Sequence, residues 1–273
     1  MEYRPIGIFD SGFGGLTVLK EIEQVLPRYD YLYFGDNARA PYGSRSFETV
    51  YAYTLEAVQW LFNQGCPLVI LACNTASAKA LRTIQQKDLA RMAPERRVLG
   101  VIRPVTEMVG KMTRSRHIGI LATAGTVASQ SYVIETNKYF PDVTVVQEAC
   151  PMWVPLVENS EFDADGADYF VRRHVDQLLR ADSLIDTVVL GCTHYPLLEK
   201  KINCFLSAGI AVISQGAIVA QSLADYLHRH KEIAERCTTQ GRRDFYSSET
   251  AAVFERSAIL FYGRPVHCRS QYI

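Results

Sequence analysis

The sequence predicts an α/β protein in which one plan, a mostly parallel sheet covered by helices on both faces, is used twice. Three observations predict it. Short runs rich in Val and Ile alternate with amphipathic stretches of helical length, the second half repeats the order of the first, and each half delivers a cysteine at the end of one such run. Runs of this kind between helices belong to parallel strands buried on both faces, which need no polar alternation.

The runs are "IGIF" from Ile6, "YLYF" from Tyr31, "LVILA" from Leu68, "RVLGVI" from Arg97, "HIGIL" from His117, "VTVV" from Val143, "TVVLG" from Thr187 and "IAVI" from Ile210. Between the first two, "GLTVLKEIEQVL" puts Leu16, Leu19, Ile22 and Leu26 on one helical face. "SFETVYAYTLEAVQWLFNQG" has Ser46 as N-cap and Gly65 as its stop. No low-complexity or Gly/Ser-rich linker interrupts the weave, so a domain boundary must fall within it. The repeat shows where. "IGIFDSGFGG" at Ile6 is echoed by "IGILATAGTV" at Ile118, and "VILACNTAS" around Cys73 by "VVLGCTHYP" around Cys192. Ile6 and Cys73 lie 67 positions apart, Ile118 and Cys192 74 apart, so order and spacing are both nearly kept.

Length and charge narrow the functional classes. A chain of 273 residues, 48% hydrophobic, holds one large or two modest domains. With 29 basic and 29 acidic residues there is no clustered positive excess, which argues against nucleic acid as a partner. The amino terminus lacks the basic start and apolar stretch of a secretory signal, and no run of about eighteen apolar residues occurs, so a soluble cytoplasmic protein without membrane contact is expected. Seven cysteines without a CxxC pair read as reduced thiols, with no metal site. Cys66, Cys204, Cys237 and Cys268 are assigned to the core, while Cys150 is left open.

Cys73 and Cys192 stand apart because each closes a strand and is followed by small polar residues. Open parallel sheets bind ligands beyond the carboxyl ends of their strands, so halves facing across a crevice bring both thiols into one cleft. At Cys73, Asn74 and Thr75 lead into a helix whose free N–H groups suit a carboxylate and whose field lowers a thiol pKa. At Cys192, Thr193 and His194 precede Pro196, a residue suited to a first helical turn. Two opposed proton carriers fit a reaction that removes a proton from one face of a carbon and returns one on the other, with an acid beside each thiol to steer its proton.

Asp10, which closes the first strand, is the candidate acid for the first thiol, and Ser11 beside it can bind an amino or carboxylate group; Glu158 and His194 are the candidates for the second thiol. Tyr42 and Gly43, in "FGDNARAPYGSRS", offer a phenol and a backbone N–H to a substrate carboxylate. "GFGG" is no dinucleotide fingerprint, since Thr17 stands where the third glycine is required.

These segments resemble the cofactor-independent glutamate racemases of bacterial cell-wall synthesis. "GIFDSGFGGLTVL", "YFGDNARAPYGSRS", "LACNTASA", "GILATAGTV", "CPMWVPLVE" and "VLGCTHYPLL" follow that family's order over about the first 215 residues, and the tail from about Cys237 matches loosely. In the related aspartate enzymes a histidine typically stands where Ser77 is and an acid where His194 is, so the resemblance favours glutamate. It implies two similar doubly wound α/β domains about a pseudo-two-fold axis, residues 1–98 with 212–273 carrying Cys73, and residues 99–211 carrying Cys192. It further implies that Cys73 acts on the D-enantiomer's face and Cys192 on the L face, Asp10 assisting the first, Glu158 and His194 the second. Substrate would be bound by Asp10, Ser11, Tyr42, Gly43, Asn74, Thr75, Thr193 and His194, with no cofactor and no metal, in a homodimer. Arg103 stands where the family commonly has Glu, and Ser214 with Gln215 where an Asp-Ser pair is usual; both are expected near the crossings between domains. The alternatives are an aspartate racemase or related isomerase, separated by relative rates, and a non-catalytic amino-acid-binding protein, separated by binding without stereochemical change.

Overall fold

The computed structural model describes residues 3–273. Ten strands occur among them: β1 (Ile6–Asp10), β2 (Tyr31–Gly35), β3 (Leu68–Leu71), β4 (Arg97–Gly100), β5 (His117–Ala122), β6 (Thr144–Ala149), β7 (Thr187–Gly191), β8 (Ala211–Ile213), β9 (Arg243–Ser247) and β10 (Cys268–Ser270). They form two sheets, β10-β9-β2-β1-β3-β4 and β6-β5-β7-β8. Every pairing is parallel. Within each half the strands lie in the order second, first, third, fourth, so the repeat read from the sequence is a repeat of topology.

The eight apolar runs become β1 to β8. All five residues of β1 and of β7 are buried, as central parallel strands covered on both faces must be. The glycine that follows the matching isoleucine, Gly7 after Ile6 and Gly119 after Ile118, has the same purpose in both halves. A Cβ on Gly7 would lie 3.1 Å from Cys66 Sγ, and one on Gly119 would lie 2.6 Å from Leu178 Cδ2. Their absence lets a covering segment sit close to its sheet.

Local signals set the helices as expected. Helix Gly15–Val25 buries Leu16, Leu19 and Ile22, while Leu26 falls at its carboxyl cap. Ser46 Oγ accepts the Thr49 N–H at 3.1 Å at the start of Phe47–Asn63, and Gly65 beyond its end takes φ +92°. After β8 the chain crosses back, and helix Gly216–Arg229 packs on Gly15–Val25 through Val219, Ala220, Leu223 and Leu227. The tail then adds β9 against β2 and β10 against β9.

β9 and β10 correspond to no apolar run in the sequence. β9 reads "RDFYS" with only Phe245 and Ser247 fully buried, and β10 has three residues at the sheet's edge. Both take their order from hydrogen bonds to a strand already in place, not from an apolar run of their own. The cysteine assignment also needs correcting. Cys66, Cys237 and Cys150 are buried, but Cys204 is exposed on helix Glu199–Phe205 and Cys268 is half-buried on the edge strand. Arg103 is exposed just after β4 and pairs with Glu107 one helical turn on (Nε to Oε1, 2.7 Å). Ser214 follows β8 and donates to Glu199 Oε2 at 2.7 Å, while the buried Gln215 donates through Nε2 to Leu190 O at 2.5 Å. Among the described residues no helix is long and apolar enough to cross a membrane.

Candidate active site

β1 and β3 are neighbours, with Phe9 paired to Leu71, and β5 and β7 are neighbours, with Ala122 paired to Gly191. The loops leaving these four strands therefore open at the carboxyl edges of their sheets. They meet. Ser11, Tyr42, Gly43, Cys73, Asn74 and Thr75 from the first half line one cavity together with Glu158, Cys192, Thr193 and His194 from the second. The cavity is narrow, with a free volume of about 20 Å³.

Cys73 is the N-cap of helix Asn74–Lys79, and its Sγ accepts the Ala76 N–H at 3.4 Å. Ser11 Oγ lies 3.4 Å from the same sulfur. Both contacts favour a thiolate, as the helix-start argument expected. They do not prevail: burial, and then the neighbouring Asp10 carboxylate, push the Cys73 thiol up to about 12. Its resting form at neutral pH is the protonated thiol, which corrects the expectation of a lowered value.

Asp10, whose carboxylate acts on this thiol, does not line the cavity, so it is not placed to bind substrate directly as expected. It is fully buried, with Oδ2 accepting the Gly12 N–H at 2.9 Å and Oδ1 unpaired. Burial raises its carboxyl above the ordinary range, against the lowering effects of His194 and of the Gly15 and Gly12 amides. The turn it closes is fastened by Tyr33, whose hydroxyl donates to Gly12 O at 2.9 Å.

The second thiol has different neighbours. Cys192 Sγ is 3.8 Å from His194 Nδ1, and His194 Nε2 is 3.0 Å from Glu158 Oε1. Burial opposes a charge on His194, but the hydrogen bonds to Cys192 and Glu158 outweigh it and hold the imidazole up at about 10. A cation is thereby kept beside the Cys192 sulfur, the arrangement in which Cys–His pairs act as bases and nucleophiles. Glu158 reaches His194 because it ends helix Trp153–Glu158, whose Trp153 is buried against the Tyr195 ring at 4.8 Å between centroids. Tyr195 in turn donates its hydroxyl to Cys150 O at 3.1 Å.

Two further findings concern the cleft wall. The Tyr42 hydroxyl is committed to Asp36 Oδ2 at 2.5 Å, within a network that includes Arg39 and Ser248, so its phenol proton is not available to a substrate. Gly43 is held by its carbonyl, which accepts the Gly125 N–H at 2.8 Å. Thr123, not foreseen as a site residue, lines the cavity, and its Oγ1 is 2.9 Å from that of Thr75. The repeat contained the signal: Thr123 follows Ser11 by the same 112-position offset that relates Ile118 to Ile6. Ala40, Pro41 and Val154 complete the lining and carried no chemical signature. Among the described residues no group of three or more His, Cys, Asp or Glu side chains is arranged to hold a metal.

Residues 6–223 match the family model described as Asp/Glu/Hydantoin racemase. The glutamate racemase of Geobacter metallireducens is 40% identical over 263 residues, covering 96% of this chain and 94% of the relative. Among solved structures, glutamate racemase isoform RacE1 of Bacillus anthracis superposes with a TM-score of 0.89 at 33% identity, covering 99% of this chain and 98% of the other. The glutamate racemase of Francisella tularensis subsp. tularensis SCHU S4, solved in complex with D-glutamate, gives 0.87 at 27% identity, covering 100% and 98%.

Proposed function

The chain belongs to the aspartate/glutamate/hydantoin racemase family, and we propose that it interconverts L- and D-glutamate by a two-base mechanism with Cys73 and Cys192. The observation that carries the reading is one cavity lined by both sulfurs, each with its own proton-handling neighbours. With His194 cationic beside it, Cys192 takes the α-proton of L-glutamate as thiolate. Cys73, resting as a thiol, delivers a proton to the opposite face. The product is D-glutamate, and the two sulfurs have exchanged protonation states. Reversal starts from that exchanged form; a second turnover in the same direction needs the protons redistributed, with Asp10 serving Cys73 and the His194–Glu158 pair serving Cys192.

Ser11, Gly43, Asn74, Thr75 and Thr193 hold the substrate's amino and carboxylate groups in this reading. Tyr42 supports through its place in the wall, since its hydroxyl serves Asp36. Residues 1–98 with 212–273, and residues 99–211, form the two domains that close on the substrate. Supply of D-glutamate to peptidoglycan in the cytoplasm, by a homodimer, completes the proposal; light scattering of the purified chain tests the dimer.

Incubation with L-glutamate in heavy water, read by mass spectrometry and chiral chromatography, tests the reaction. Deuterium enters the α position and the D form accumulates. Folded protein that exchanges no α-proton overturns the reading, and faster turnover of aspartate redirects it. Cys73→Ser and Cys192→Ser each lower racemisation by about 10²–10⁴-fold, the usual range for loss of a positioned acid or base.

A further inference from the structure

Asn74 is 2% exposed and lines the cleft, yet its two amide atoms are treated differently. Oδ1 accepts the hydroxyl of Tyr132 at 2.9 Å, whereas Nδ2 has no partner. Tyr132 belongs to the other half of the molecule and is itself 1% exposed. Helix Ser131–Tyr139, which carries it, is fastened to helix Asn74–Lys79 a second time by Ser131 Oγ donating to Ala78 O at 3.2 Å. The helix starts from Gln130 in the left-handed region at φ 55°, which fixes its entry beside this contact.

The direction of the Tyr132 hydrogen bond sets the direction of the amide. Among the described residues the phenol has no other hydrogen-bond partner than Asn74. Turning the amide over would aim Nδ2 at the phenol oxygen and leave the buried phenol proton without an acceptor, which is disfavoured in a core. It would also present an acceptor oxygen, in place of a donor, on the amide's free side. A carboxylate can use only the donor.

We propose that Tyr132 is a positioning residue: by donating to Asn74 Oδ1 from the other half of the molecule it holds the Asn74 Nδ2 donor ready for a carboxylate oxygen of the amino-acid substrate. This rests on the glutamate reading and adds to it a residue outside the cavity lining. It also ties substrate affinity to the docking of the two halves, because donor and holder come from opposite sides.

Tyr132→Phe keeps the ring and removes only the hydroxyl. A charge-assisted hydrogen bond lost equally from ground and transition states raises KM for L- and D-glutamate by about tenfold and leaves kcat within about twofold. A merely structural role lowers the melting temperature and leaves KM alone. In a double-mutant cycle, Tyr132→Phe on the Asn74→Ala background adds no further increase in KM. Asn74→Asp retains the acceptor for Tyr132 and replaces the donor by oxygen, so it raises KM at least as much as Tyr132→Phe does. An unchanged KM in Tyr132→Phe, single effects that multiply in the double variant, or an unchanged KM in Asn74→Asp overturns the proposal. Wild-type enzyme assayed alongside separates the two readings. If it shows no racemisation, the reaction is wrong, and calorimetric Kd values of wild type and Tyr132→Phe for glutamate still decide the role of Tyr132. No binding by wild type overturns both.

Discussion

Replacing Glu158 by Gln isolates the electrostatics of the second thiol. The substitution keeps an oxygen acceptor near His194 Nε2 and removes the charge 3.0 Å away. In the native site burial works against the imidazolium, and the bonds to Cys192 and Glu158 outweigh burial to place His194 at about 10. A hydrogen bond between charged groups contributes roughly 1.5–3 kcal/mol. The Glu158 side chain is 25% exposed, so solvent screening argues for the lower part of that range. At about 1.4 kcal/mol per pH unit, losing it moves His194 down by about one to one and a half units, to about 8.5–9. The direction is fixed by sign, because an anion removed from beside a cation disfavours the cation. The assay is NMR titration of ring-labelled histidine, with six histidines to resolve and His194→Gln to assign the signal. The alkaline limb of kcat/KM provides the kinetic counterpart. Stability follows the same linkage: a value raised from 6.5 stabilises fully below about pH 6.5, and the contribution is lost as pH rises through about 10. Melting curves of the variant lose it at lower pH. A titration that stays at the wild-type midpoint, or moves upward, refutes the reasoning.

The first thiol and the core behind the second provide the remaining tests. Asp10→Asn removes an anion that helps push Cys73 up to about 12, so the thiol titrates lower. A fall of about one unit raises the thiolate fraction at pH 8 about tenfold and, allowing for the lower nucleophilicity of the weaker base, speeds iodoacetamide alkylation of the Cys73 peptide about three- to fourfold; an unchanged or slower rate contradicts the assignment. Trp153→Ala empties a fully buried site packed on Tyr195 and His174 and destabilises by about 3–5 kcal/mol. Denaturant unfolding that shows less than about 1 kcal/mol would mean the indole is not a core element.

What could be read from the sequence was whatever burial or repetition wrote into it. Strands β1 to β8 stand out by their apolar runs, which in the central strands β1, β2, β3 and β7 are buried throughout. β9 and β10 left no such trace, since "RDFYS" and "CRS" are ordered by neighbours hydrogen-bonded along one edge. The same division holds at the site. Cys73 and Cys192 were legible from strand ends repeated at matching places, and Thr123 was recoverable from the same offset as Ser11. Tyr132 was not, because what makes it matter is one hydroxyl meeting one amide 58 positions earlier. Tyr42 shows the converse: its motif marked the right loop, but only packing reveals that its hydroxyl serves Asp36. The protonation of Cys73 follows the same division, as a helix start is visible in sequence and the depth of burial that overrides it is not.

The duplicated framework carries unlike chemistry on its two sides, a serine and a buried acid near Cys73 and an imidazole–carboxylate pair near Cys192. For a racemase this asymmetry is constrained by thermodynamics. Enantiomers have equal free energy in achiral solution, so the equilibrium constant is one, and kcat/KM for L-glutamate must equal kcat/KM for D-glutamate. No substitution alters that equality, however one-sided its position. Unequal thiols therefore appear only in kcat and KM taken separately, with the enantiomer that meets the better-prepared base differing in both by the same factor. Glu158→Gln, although it touches only the Cys192 side, must lower kcat/KM by one factor in both directions while changing the ratio of the two kcat values. Progress curves from each pure enantiomer measure both quantities. Unequal kcat/KM values in a reaction that ends at equal amounts of L and D cannot come from a single-substrate racemisation, and such a result would require a second substrate or product in the cleft.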